Sequence, residues 1–205
     1  ITAQDVKYAE DLGFRIKHLG IARRAANGIE LRVHPTLIPS EELIANVNGV
    51  KNAVLVQAHA VGPTLYYGAG AGAGPTASAV VADVIDIVRD ISYTEDGAGT
   101  IPQLAFEALT NVPILSREEM TTGYYIRLNA EDQTGVLADV TTILSRAGIS
   151  IDAIMQQSRL KDLIPIVILT DPVLESKMDE ALAQIQALPT IHGEIIRIRL
   201  ESLDS

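Results

Sequence analysis

Cysteine is absent from the 205 residues, and so is tryptophan. The first absence excludes disulfides, thiolate metal sites and a cysteine nucleophile. Aromatic residues make up only 4% of the chain, so a core must be assembled from Ile, Val, Leu and Ala within a hydrophobic fraction of 47%. No segment carries a basic surplus: basic and acidic residues number 8 and 9 in 1–90, 1 and 5 in 91–121, and 7 and 12 in 122–205. The formal net charge of −10 favours solubility and speaks against a nucleic-acid partner. Apolar runs stay far short of the ~20 residues that a membrane span needs. The opening Ile1-Thr-Ala-Gln-Asp5 lacks a signal peptide's basic region and apolar core, and it lacks an initiator Met. The expectation is a cytoplasmic protein without membrane association, and a chain that is a piece of something longer.

What is present reads in two parts. Thr2 caps a helix whose third residue is Asp5 and which Gly13 ends. Residues 14–25 and 29–34 form a hairpin about Asn27-Gly28, Pro35 and Pro39 interrupt, and Ser40 caps a short helix to about Asn46. Strands follow at 52–60 and 64–68, then a long helix from Pro75 to about Arg89 with an apolar stripe at 77, 80, 81, 84, 85 and 88. Residues 92–121 read as a linker with one short helix at 103–109. The remainder alternates: strand 124–129, helix 135–147 capped by Thr134, strands 149–158 and 163–170 about a polar turn at 159–162, helix 174–188, strand 194–200. That order, βαββαβ, is the ferredoxin-like split arrangement. The fold class is therefore α+β, a mainly antiparallel sheet with helices followed by a ferredoxin-like domain.

Four alternating glycines, Gly68, Gly70, Gly72 and Gly74, precede the long helix, and Gly68-x-Gly70-x-x-Ala73 satisfies the dinucleotide fingerprint formally. The fingerprint requires a βαβ unit with an acidic residue on its second strand. Here the helix runs into the linker, and Asp83, Asp86 and Asp90 lie on the helix itself, so the match fails in context. Tight packing of the glycines against a neighbouring helix is the competing reading. The four histidines, 18, 34, 59 and 192, have no metal-ligand spacing, and Ser78 stands in no nucleophile-elbow pattern. No metal site is expected.

Val47-Asn-Gly-Val-Lys-Asn-Ala-Val54, followed by Gly68-Ala-Gly-Ala-Gly-Ala-Gly-Pro-Thr-Ala-Ser-Ala-Val-Val-Ala-Asp83, resembles the C-terminal half of homoserine dehydrogenases, as do residues 1–17 and His34-Pro-Thr-Leu-Ile-Pro39. The resemblance covers 1–91, and in bacterial members an ACT regulatory domain of βαββαβ order follows. It implies three segments: 1–91, the end of the catalytic domain; 92–121, a linker; and 122–205, an ACT domain. It also implies NADP or NAD as cofactor, held mainly by an upstream domain. The glycine loop would approach the nicotinamide end through Gly70, Ala71 and Gly72, where side chains would block the approach. The family's catalytic lysines lie upstream. Lys7, Lys17 and Lys51 fit no catalytic pattern, so no catalytic residue is assigned and the chain alone should be inactive.

Asp132-Gln-Thr-Gly135-Val-Leu-Ala-Asp139 resembles the ACT signature. A helix beginning at Gly135, Val136 and Leu137 offers free N–H groups and a positive dipole end to an amino acid's carboxylate, and Asp132 could take its ammonium group. Gly148-Ile-Ser150-Ile151 resembles the second half of such a site. Gln156 and Gln157 stay unassigned. The competing reading is that Asp132 and Thr134 only cap the helix. The resemblance further implies a homodimer through ACT pairing and the catalytic-domain sheet, with threonine as effector. The alternative function is a non-catalytic module that binds an amino acid or pairs subunits. A free-standing binding protein would leave 1–91 unexplained.

Overall fold

The computed structural model describes residues 1–93, 109–156 and 163–203. The expected turn at 159–162 and, save its last residue, the expected helix at 103–109 lie outside them. Helix α1 spans Ala3–Asp11, and strands β1 (Phe14–Ala25) and β2 (Gly28–Pro39) form a hairpin. A 3-10 turn at Leu43–Asn46 leads to β3 (Lys51–Ala58), β4 (Gly62–Ala69) and α2 (Ala73–Tyr93). After a second 3-10 turn at Arg117–Glu119 come β5 (Thr121–Glu131), α3 (Val136–Arg146), β6 (Ile151–Gln156), β7 (Leu163–Leu174), α4 (Glu175–Gln186) and β8 (Ile191–Leu200).

Contacts divide the chain into two compact units, Ile1–Ala45 with Val112–Ser205, and Asn46–Asn111. These cuts fall elsewhere than the motif-based segments 1–91, 92–121 and 122–205. The first unit holds a six-stranded sheet in the order β1-β2-β8-β5-β7-β6. Its last four strands are the ferredoxin-like set. The hairpin of β1 and β2 extends that sheet through a short parallel pairing of Thr36 with Arg199 and Leu37 with Leu200.

Period-two alternation along β5 loads both faces of the sheet. Tyr124, Ile126, Leu128 and Ala130 pack against Val136, Val140 and Leu144 of α3 and Met178, Ala181 and Ile185 of α4. Tyr125 faces the other way, into a second core with Val167, Leu169, Ile198, Leu37 and, from α1, Tyr8 and Ala9. Charge enters both layers. Glu175 is fully buried and accepts hydrogen bonds from the Tyr124 hydroxyl and Arg199 Nε, both at 2.8 Å, with Arg197 Nη2 3.2 Å away. Burial pushes its carboxyl up, but the bonds from Arg199 and Tyr124 outweigh that and hold it below its ordinary value. Asp5, equally buried, accepts from Arg127 Nε (2.5 Å), the Tyr125 hydroxyl (3.1 Å) and the Thr2 amide (2.7 Å).

The second unit has no buried side chain among its described residues. Its hairpin pairs β3 with β4 from Lys51↔Ala69 to Ala58↔Gly62. Along α2, Val80, Val81, Val84, Ile85, Ile87, Val88 and Ile91 are all exposed.

Several expectations need correction. Strand β2 runs through Pro35 to Pro39 instead of stopping at 34. On its β8 side the pairing covers only Thr36 and Leu37, so the amide that Pro35 lacks is not called on there. Helix α2 begins at Ala73, which leaves Pro75 inside the first turn, where amides are unpaired anyway. Thr134 does not cap α3. The N-cap is Gly135, at φ 97°, with no side-chain cap bond.

Candidate functional site

The clearest concavity built from expected site residues lies where β5 gives way to α3. Glu131 N–H still bonds to Thr190 O at 2.9 Å, after which the chain leaves the sheet. Gly135 then adopts a left-handed conformation that favours glycine, and its carbonyl accepts the first helical bond, from Asp139 N–H at 2.9 Å. The amides of the opening turn of α3 therefore have no helical partner and border a cleft of about 130 Å³. Ala130, Glu131, Asp132, Gln133, Gly135, Val136 and Leu137 line it from the loop side, with Gln156, Ile164 and Ile166 from β6 and β7.

Four of the six expected effector residues, Asp132, Gly135, Val136 and Leu137, thus share one cleft. Ser150 and Ile151 do not line it. The Ser150 carbonyl accepts from Asp171 N–H at 3.1 Å, and Ile151 packs against the α3–α4 core. Sequence reasoning missed Glu131 and left Gln156 unassigned. Glu131 is set by side chains, with His192 Nε2 2.7 Å from its Oε1 and Gln133 Nε2 donating to its Oε2 at 2.7 Å. No motif signals this trio, because His192 is brought alongside by the β5–β8 register, which opposes it to Asn129.

In the glycine loop only some glycines are required by their surroundings. Gly72 has φ 116°, and its carbonyl accepts from Thr76 N–H at 3.1 Å as α2 starts. At Gly70 an added Cβ would fall on the Asn52 side chain, whereas at Gly68 and Gly74 nothing lies within 4 Å. Among the described residues no neighbouring helix packs against Gly68 or Gly74. Residues 68–76 are all exposed, so the loop presents backbone with an open face. Of the lysines, Lys51 stands over the Tyr67 ring, 5.7 Å from its centre, and Lys7 is exposed. Among the described residues no group of His, Asp and Glu is placed to hold a metal ion, and no helix is long and apolar enough to cross a membrane.

Comparison with known proteins places these features. Residues 1–85 match the family model described as homoserine dehydrogenase, and residues 124–190 match that of the ACT domain. The homoserine dehydrogenase of Pseudomonas aeruginosa is 53% identical over 208 residues, covering 100% of this chain and 48% of its own. That of Neisseria gonorrhoeae is 48% identical, covering 99% and 47%. The crystal structure of the Thiobacillus denitrificans homoserine dehydrogenase superposes with a TM-score of 0.89 at 56% identity, covering 99% of this chain and 46% of that one. The fold alone is shared with the Staphylococcus aureus enzyme, at 22% identity and a TM-score of 0.63. The chain thus spans about half the length of the relatives it matches. It belongs to the homoserine dehydrogenase family, an oxidoreductase family, in which it corresponds to the C-terminal half and carries an ACT domain.

Proposed function

We propose that this chain is the C-terminal half of an NAD(P)-dependent homoserine dehydrogenase that interconverts L-aspartate 4-semialdehyde and L-homoserine in the cytoplasm, on the way to threonine and methionine. The observation that carries this is the match to homoserine dehydrogenases along the whole chain, at 53% identity for one relative. The motif-based division, 1–91, 92–121 and 122–205, belongs to this proposal.

The nicotinamide cofactor would supply hydride transfer. Gly70, Ala71 and Gly72 are suited to lie beside it, because the loop is exposed and an added Cβ at Gly72 would meet only the Pro75 ring, at 3.6 Å. This chain contributes shape and backbone there and no catalytic side chain. The residues that move protons, and the choice of NAD or NADP, belong to the upstream half.

The ACT cleft is proposed to bind threonine. The amides at Gly135, Val136 and Leu137 and the dipole of α3 suit the carboxylate, and Asp132 the ammonium group. Ser150 and Ile151, which lie away from this cleft, would reach threonine from a second ACT domain in a homodimer. The catalytic-domain sheet would add to that pairing.

A crossed pair of variants in the full-length enzyme tests the assignment. Gly72→Val forces a β-branched residue into a left-handed conformation and should weaken cofactor binding at least tenfold while leaving threonine inhibition intact. Asp132→Ala should abolish threonine inhibition and leave uninhibited turnover unchanged. Normal cofactor affinity in the first variant, or surviving inhibition in the second, would remove the corresponding site. A second reading, a non-catalytic amino-acid-binding module, is favoured by one observation: every cleft residue comes from the compact unit that contains the ACT domain. Threonine binding without dehydrogenase activity in the full-length protein would select it.

A further inference from the structure

We propose that the buried Asp5–Arg127 pair is the link by which occupancy of the ACT cleft reaches the catalytic part of the protein. The proposal rests on the effector reading above. Asp5 lies on α1, within the stretch matched to homoserine dehydrogenase, and Arg127 lies on β5, within the stretch matched to the ACT domain. The pair therefore crosses a boundary between families inside one compact unit.

Strand β5 also supplies the cleft residues Ala130 and Glu131. Ala130 faces the α3–α4 core, and Arg127, three residues earlier, projects from the opposite face toward α1. An amino acid that draws the β5–α3 junction together acts on a strand whose other face grips α1. The grip converges on one carboxylate. Asp5 Oδ1 accepts from Arg127 Nε at 2.5 Å and the Tyr125 hydroxyl at 3.1 Å, and Oδ2 accepts from Arg127 Nη2 at 3.2 Å. The Thr2 amide and hydroxyl complete the set on Oδ2, at 2.7 and 2.9 Å. Tyr8 and Ala9 seal it against Tyr125, Val167 and Leu169.

Separating the pair would leave two charges in an apolar layer, which costs more than the coupling free energies typical of effectors. Helix α1 therefore follows β5 instead of sliding over it. By contrast, the ion pairs of Arg23 and Arg32 with Glu201 tie the β1–β2 hairpin to the segment after β8 and leave the cleft strand untouched.

The test compares threonine occupancy with threonine inhibition in the full-length dehydrogenase, by calorimetry and by turnover, for the parent, Asp5→Asn, Tyr125→Phe and Asp5→Glu. The expected result is a threonine Kd within threefold of the parent in every variant. Maximal inhibition should fall at least fivefold in Asp5→Asn, fall less in Tyr125→Phe, and recover in Asp5→Glu. Variants that bind and are inhibited like the parent would overturn the proposal. If Asp5→Asn does not fold, Tyr125→Phe, which loses one hydroxyl, decides alone: unchanged inhibition at full occupancy refutes the link. A parent that binds no threonine would overturn the effector reading, and the link with it, a result distinct from intact binding with intact inhibition in the variants.

Discussion

Asp5 and Glu175 are acids kept ionised inside an apolar interior, and this ties stability to pH. For Asp5, burial raises the carboxyl pKa, but the hydrogen bond from Arg127 and those of Thr2 prevail, leaving it below the ordinary value; Glu175 behaves likewise through Arg199 and Tyr124. A carboxyl depressed in the folded state contributes stability that is present above its unfolded pKa and lost as pH falls through the folded one. Urea unfolding should therefore show stability falling steeply below about pH 4, and less steeply in Asp5→Asn. Glu175→Ala should cost about 3–5 kcal/mol at neutral pH, since it strands Arg199 beside the buried Tyr124 hydroxyl. A loss below 1 kcal/mol would mean that the network is looser than its distances imply. At this scale the sequence was partly legible. Thr2 with Asp5 announced a helix start, and Asp132 with Gly135 the cleft. Arg127 and His192 were silent, because Arg127 meets Asp5 only through the packing of α1 on the sheet, and His192 meets Glu131 only through the β5–β8 register.

Helix α2 poses the question of what its apolar side chains are for. Seven Val and Ile residues from Val80 to Ile91 are exposed, and burying each such side chain is worth about 1.5–3 kcal/mol. A lone two-stranded hairpin such as β3–β4 is marginal in water, and no side chain is buried among the described residues of 46–111. On the function proposed here the upstream half supplies that burial. Val84→Asp in the full-length enzyme should then lower cofactor affinity at least tenfold, with threonine binding unchanged. In the present chain the same variant should leave the unfolding of the ACT-containing unit within about 0.5 kcal/mol of the parent. Equal cofactor affinity would mean that α2 packs elsewhere. The helical stripe itself was plain from spacing. The limits of the strands were not, because β2 crosses Pro35 and ends at Pro39, on a side where little pairing is asked of it.

For the molecule as a whole, the βαββαβ order was readable because each of its elements carries its own period and turn residues. The joining of β1 and β2 to that sheet was not readable, since Thr36 and Arg199 share no local signal. The chain on its own should bind threonine yet show no homoserine-dependent reduction of NAD or NADP. Measurable turnover would place catalytic groups within these residues and overturn the division of labour. The β2–β8 pairing has a further consequence for how the protein is made. The first hairpin is synthesised roughly 160 residues before the strand that completes its sheet, and at about 5–20 residues per second that strand trails it by some 10–30 s. Throughout that interval the nascent chain holds an unfinished sheet edge outside the ribosome, where a chaperone that shields extended backbone would have its best opportunity to act.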